Sequence, residues 1–168
     1  MAQEQEITVR RARPSDADEI AALVNRIRRG QVRIDRLAVI ERLGNVGFFL
    51  AAQGGSLVGM LGWRAENLVV RVSDFLILPA PDRIAVGRAL LSEMEQAAIE
   101  LQCEAALLFL PRPHPPQLVE FCKMLGYEPQ LAAGLPKAWR NAAHEAGVGN
   151  DDKLLVKRLR SGRVLRPL

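Results

Sequence analysis

Apolar positions along this chain switch between a period of two and a period near four, and each switch marks a new element. Ile7-Thr8-Val9-Arg10-Arg11 alternates as a short strand. Pro14-Ser15-Asp16 then opens a helix, with Ser15 as the expected cap and Asp18 three residues on. Ile20, Leu23, Val24 and Ile27 form its stripe, and Gly30 is expected to end it after Arg26, Arg28 and Arg29. A second short helix is predicted over 34–43, with Leu37, Ile40 and Leu43 on one side.

Gly47 to Gln53, Gly54-Gly55, and Ser56 to Trp63 read as a β-hairpin, because Gly-Gly supplies the positive φ angles of a two-residue turn. Gly59 and Gly62 inside the second strand mark bulges or a bend. Leu68 to Leu78 is the next strand, stopped by Pro79 and Pro81. A loop over 80–85 leads to a helix in which Val86, Leu90, Leu91, Met94, Ala98 and Leu101 recur at helical spacing. Glu104 to Leu110 is a buried-strand pattern, expected to lie parallel to the strand before the helix by a right-handed crossover. The proline-rich 111–116 is an extended connection, and a helix through Leu118, Val119, Phe121, Cys122 and Leu125 ends at Gly126. A short strand from Tyr127, a helix over 136–146 carrying Trp139, and a strand over 153–159 complete the pattern. The order β-α-α-β-β-β-α-β-α-β-(α)-β predicts a single α/β domain over 1–159, a mixed central sheet flanked by helices. A basic tail, 160–168, follows; it packs on the domain or a second copy, or frays.

Hydrophobic residues make up 49% and charged residues 25%, an ordinary soluble composition. The net charge of +4 is too weak to imply nucleic acid and favours anionic ligands. The arginines at 26–42 form a solvated face or an anion patch. Cys103 and Cys122 are far apart and read as reduced thiols of a cytoplasmic protein. His114 and His144 share no cluster of ligands, so no metal site is expected. No leader and no membrane-length apolar run is visible.

The centre of the chain is the strand–loop–helix of 72–91. A helix that starts directly after a strand aims free backbone N–H groups and a positive dipole at one point, a ready phosphate site, and Gly87 lets a ligand approach. This stretch resembles motif A of the GCN5-related N-acetyltransferase (GNAT) superfamily. Ile77-Leu78-Pro79 sits at its V-x-P, Asp82 to Gly87 at its glycine loop, and Ala89-Leu90-Leu91 at its helix start. Phe121 to Glu128 is similar to a second family segment, F-Y-x-K-L-G-F-E. Four positions depart from the family: Asp82 for Gln/Arg, Ala85 for the first Gly, Pro115 for an Asn, and Cys122 for a Tyr.

The resemblance implies acetyl-CoA or another acyl-CoA as co-substrate, and a small-molecule or protein amine as acceptor. Its pyrophosphate is expected on the amides of Arg83, Ile84, Ala85, Val86, Gly87 and Arg88, and its pantetheine on the strand edge at Leu76, Ile77 and Leu78. Direct acyl transfer needs a base for the amine and a proton for the leaving thiolate. Asp74, mid-strand in an apolar run, is the base candidate or a carboxylate satisfied by Arg71 or the backbone; Glu66 is the weaker base. Cys122 is a proton donor at the family's Tyr position or a packed core thiol, and Tyr127 packs. His114 is an exposed loop residue or a substrate contact, and Trp63 and Trp139 are core residues or pocket walls. The implied function is N-acyl transfer. The four departures leave open a GNAT-like binding or assembly module without turnover.

Overall fold

The computed structural model describes residues 5–29, 33–66, 68–109 and 116–160. Gly30, the segment 110–115 with His114 and Pro115, and tail residues 161–168 lie outside them. Seven strands and five helices alternate in the expected order: β1 (Ile7–Arg11), α1 (Ala17–Arg28), α2 (Arg36–Leu43), β2 (Gly47–Gln53), β3 (Ser56–Glu66), β4 (Val69–Ile77), α3 (Arg83–Glu100), β5 (Ala105–Leu108), α4 (Pro116–Met124), β6 (Glu128–Leu131), α5 (Lys137–Glu145) and β7 (Lys153–Arg158). The strands form one mixed sheet in the order β1-β2-β3-β4-β5-β7-β6.

The chain folds as two compact units, Met1–Arg64 with Val72–Met94, and Ala65–Arg71 with Glu95–Leu168. β4 contributes to both. In the first unit, α1 and α2 bury Ile20, Leu23, Val24 and Val39 with Phe48, Leu50 and Met60 of the sheet. In the second, Trp139, Ala142 and Ala143 of α5 pack with Leu107, Leu154 and Val156. Both cores follow from the periods in the sequence: one stripe per helix, one face or a continuous run per strand.

The β2–β3 hairpin turns at Gly54 and Gly55, whose φ angles of 59° and 80° are those a two-residue turn demands. Ala51 pairs with Gly59 and Ala52 with Leu57, so Val58 is the extra residue of a bulge beside Gly59. A Cβ on Gly59 would stand 3.0 Å from Val86 Cγ1 and 3.3 Å from Leu76 O, so a glycine lets α3 and β4 close in.

Two local expectations are corrected, the cap of α1 and the start of α3. Ser15 does not cap α1; Pro14–Asp16 is a 3₁₀ turn, and the Asp16 carboxylate takes the N–H of Arg13 at 2.7 Å and the Arg10 guanidinium at 2.8 Å. A carboxylate that accepts charged and backbone donors together outcompetes a hydroxyl. α1 ends at Arg28, with Arg29 in the left-handed region (φ 46°). α3 begins at Arg83, three residues before the periodicity shows it, because first-turn residues need not be apolar.

Candidate active site

β4 carries the first element of the site. Asp74 has φ 48°, a left-handed value that Asp tolerates better than most residues but that breaks a strand's pleat. The consequence is visible one residue back. Ser73 Oγ donates to Asp74 Oδ2 at 2.8 Å, although successive strand side chains ordinarily point to opposite faces. Gly62 of β3 makes room for both: a Cβ there would stand 2.9 Å from Asp74 Oδ2 and 2.9 Å from Ser73 Oγ. A glycine that the sequence marks only as odd in a strand therefore has a packing reason.

Asp74 does not pair with Arg71, which instead bonds Glu66. Its partner is Arg42 of α2, whose Nη2 lies 2.8 Å and Nε 3.3 Å from Oδ2. All of these donors converge on Oδ2. Among the described residues nothing donates to Oδ1. The Asp74 side chain is 24% exposed and that of Arg42 49%, so water screens the pair, and its contribution is on the order of 0.5–1 kcal/mol.

Asp74 lines a cavity of about 150 Å³ in the first unit. Its wall is apolar, with Ile20 and Val24 from α1, Val39 from α2, Phe48 from β2, Met60 from β3 and Leu76 from β4. Three charged side chains reach it: Asp74, Arg42 and Arg28. The sequence pattern assigned both arginines to a basic face. Their spacing holds the signal that places Arg28, because Ile20, Val24 and Arg28 are four apart on one face of α1.

At the N-terminus of α3, Arg83 N–H bonds Ala80 O at 3.1 Å and Val86 N–H bonds Asp82 O at 3.1 Å. Among the described residues, the amides of Ile84 and Ala85 have no protein acceptor, which is the condition for holding a phosphate. Ala85, Arg83 and Arg88 are exposed, while Val86 and Gly87 are buried. Asp82 sits at this positive helix end, and its carboxylate is held by Gln53 Nε2 at 2.6 Å. Leu78 N–H bonds Val58 O at 2.8 Å, which commits that end of the β4 segment to β3.

In the second unit Cys122 is fully buried, and desolvation pushes its thiol up to about 12. Tyr127 is also fully buried and donates to Glu95 Oε1 at 2.9 Å; burial first, and Glu95 next, hold its hydroxyl protonated well above the ordinary tyrosine value. Lys157 Nζ closes that cluster at 3.0 Å from Glu95 Oε1. The two tryptophans are both packed. Trp63 stacks on Phe49 with centroids 5.7 Å apart, and Trp139 is buried with Nε1 3.1 Å from Glu104 Oε2. His144 bonds Asn150 at 2.8 Å. Among the described residues, no group of three or more His, Cys, Asp or Glu could hold a metal, and no helix is long and apolar enough to cross a membrane.

A mixed sheet whose fourth strand takes a left-handed turn at Asp74, with helices between its strands, defines an α/β protein. The model of the acetyltransferase (GNAT) family matches residues 17–127, and the chain belongs to that family. A search of curated proteins finds no match in sequence. Among solved structures, N-acetylglutamate synthase from Neisseria gonorrhoeae, complexed with coenzyme A and N-acetyl-glutamate, is similar at TM-score 0.68 and 19% identity; 95% of this chain is covered but only 37% of the synthase. A GNAT-family acetyltransferase from Staphylococcus aureus gives TM-score 0.71 at 15% identity, with 92% of this chain and 100% of that one covered. The PaiA N-acetyltransferase from Thermoplasma acidophilum, in complex with coenzyme A, gives 0.66 at 11%, covering 91% and 99%. At these identities the likeness is one of fold.

Proposed function

We propose that this chain moves an acyl group from acyl-CoA directly to the amine of an acceptor seated beside Asp74. The carrying observation is Asp74 itself: a carboxylate on a bent strand, one oxygen held by Arg42 and Ser73, the other free, at the wall of an apolar cavity. The reading takes 1–159 as the acyltransferase domain. Two buried free cysteines fit a reducing compartment such as the cytoplasm.

The residues present fit the co-substrate. The free amides of Ile84 and Ala85, with the backbone at Val86 and Gly87 and the charges of Arg83 and Arg88, would hold its pyrophosphate. The backbone of Leu76, Ile77 and Leu78 on the side not bonded to β3 would take its pantetheine arm. Bound, acyl-CoA supplies a thioester carbonyl. Asp74 Oδ1 takes the proton of the acceptor ammonium and leaves a neutral nucleophile. Arg42 and Ser73 hold Oδ2, which fixes the direction in which Oδ1 points. The apolar wall keeps competing water from the amine. Burial and a raised pKa at Cys122 favour packing over proton delivery, so the C–S bond would break to release CoA as its thiolate, and the second proton of the acylated nitrogen would pass to that thiolate or to solvent.

Two measurements test the reading. In calorimetry, acetyl-CoA binds; Ala85→Glu weakens binding at least about tenfold, and Asp82→Asn tightens it about threefold by removing a charge that opposes the phosphates. No binding at millimolar ligand would overturn the proposal. In turnover, Asp74→Asn lowers kcat/KM by about 100-fold or more, the usual reach of a positioned base. A binding module without turnover is the second reading, favoured by the Asp82 carboxylate at the helix end. It holds if acetyl-CoA binds but no amine is acylated.

A further inference from the structure

We infer that the acceptor is a small amine carrying both a carboxylate and a compact apolar body, in the manner of a branched or aromatic α-amino acid, and that Arg28 binds the carboxylate. The inference rests on the acyltransferase reading for the amine and on the cavity for everything else. Arg42 already has Asp74 as its partner at 2.8 Å. Arg28 reaches the same cavity and, among the described residues, has no ion pair. Asp74 answers Arg42, so among the described residues Arg28 is the charge of this lining left without an ionic partner, beside apolar walls.

A simple alkylamine satisfies Asp74 but adds a second cation beside Arg28. A polyamine makes that repulsion worse. An acceptor with a second charge on its body, such as glutamate, brings that charge into a lining that is mostly apolar, with Val24, Phe48 and Met60 among its residues, at a desolvation cost. A zwitterion with an apolar body satisfies both ends: ammonium at Asp74, carboxylate at Arg28 in a charge-assisted pair. The volume agrees, since a cavity of about 150 Å³ takes a group the size of a benzene ring. Peptide N-termini lack the adjacent carboxylate.

The test pairs each amino acid with its decarboxylated amine: leucine against isopentylamine, and phenylalanine against phenethylamine, with glutamate as the polar control. Affinity is read by calorimetry without co-substrate, and KM with acetyl-CoA. The amino acids bind about 30-fold more tightly than their amines. Arg28→Met reduces that ratio below about threefold, and Arg28→Lys restores part of it. Equal affinity of the paired compounds, preference for glutamate, absence of amino-acid binding, or a ratio untouched by Arg28→Met would overturn the inference. Acetyl-CoA affinity in the same preparation separates the two readings. Acetyl-CoA binding and acylation without carboxylate preference overturn the acceptor class alone. Carboxylate preference without acetyl-CoA binding overturns the acyltransferase reading alone.

Discussion

Gly62 and Asp74 act as one device. The left-handed φ of 48° at Asp74 turns its carboxylate to the side of Ser73, and only a residue without Cβ opposite leaves room for the pair. Gly62→Ala places a methyl 2.9 Å from Asp74 Oδ2, and the carboxylate must move. The expected result is a fall in kcat of at least about tenfold with a loss of stability below about 1.5 kcal/mol, because the displaced atoms are side-chain ends. Turnover and urea denaturation on the same variant read the two effects. The carboxylate was legible in the sequence as polar in an apolar strand. Its partner was not, since Arg42 is 32 positions away and a one-dimensional pattern does not say which of several arginines a fold will bring near.

At the scale of an element, the start of α1 shows how a cap is chosen. Asp16 is held by Arg10, the largest cause, and by the Arg13 amide, and its carboxyl falls from 3.8 to about 2. A folded value below the unfolded one gives stability that is fully present above about pH 4 and is lost as pH falls from 4 toward 2. Half of the Arg10 side chain is exposed, so the contribution is on the order of 1–2 kcal/mol rather than the full shift. Asp16→Asn should flatten that part of the acid-unfolding curve, measured by circular dichroism between pH 2 and 5. The start of α3 is the other case. Pro79 and Pro81 read correctly as the end of a strand, but a proline just before a helix loses nothing, so α3 begins at Arg83 without an apolar marker.

Across the whole molecule, the two thiols report on the fold. Cys103 and Cys122 are buried and burial raises both pKa values. Labelling by a disulfide reagent at pH 8 should therefore be slower than for a free thiol by at least about 100-fold, and should become complete in denaturant with the unfolding transition. Rapid labelling of the native protein would show that the second unit opens locally. The same burial keeps an assay for released CoA thiol free of background from the protein.

The sequence by itself determined the element order, the mixed α/β class, the hairpin at Gly54-Gly55, the strand–loop–helix at the centre and the membership that its motifs point to. These are local or periodic properties, and a strand or helix writes its period and its stops into neighbouring residues. Tertiary structure alone decided that Arg42 rather than Arg71 holds Asp74, that Gly62 leaves room for the Asp74 and Ser73 side chains, and that Glu95 and Lys157 gather at the buried Tyr127. Those pairings join residues tens of positions apart. Their geometry is set by the packing of elements, and packing leaves no period in the chain that a reader could count.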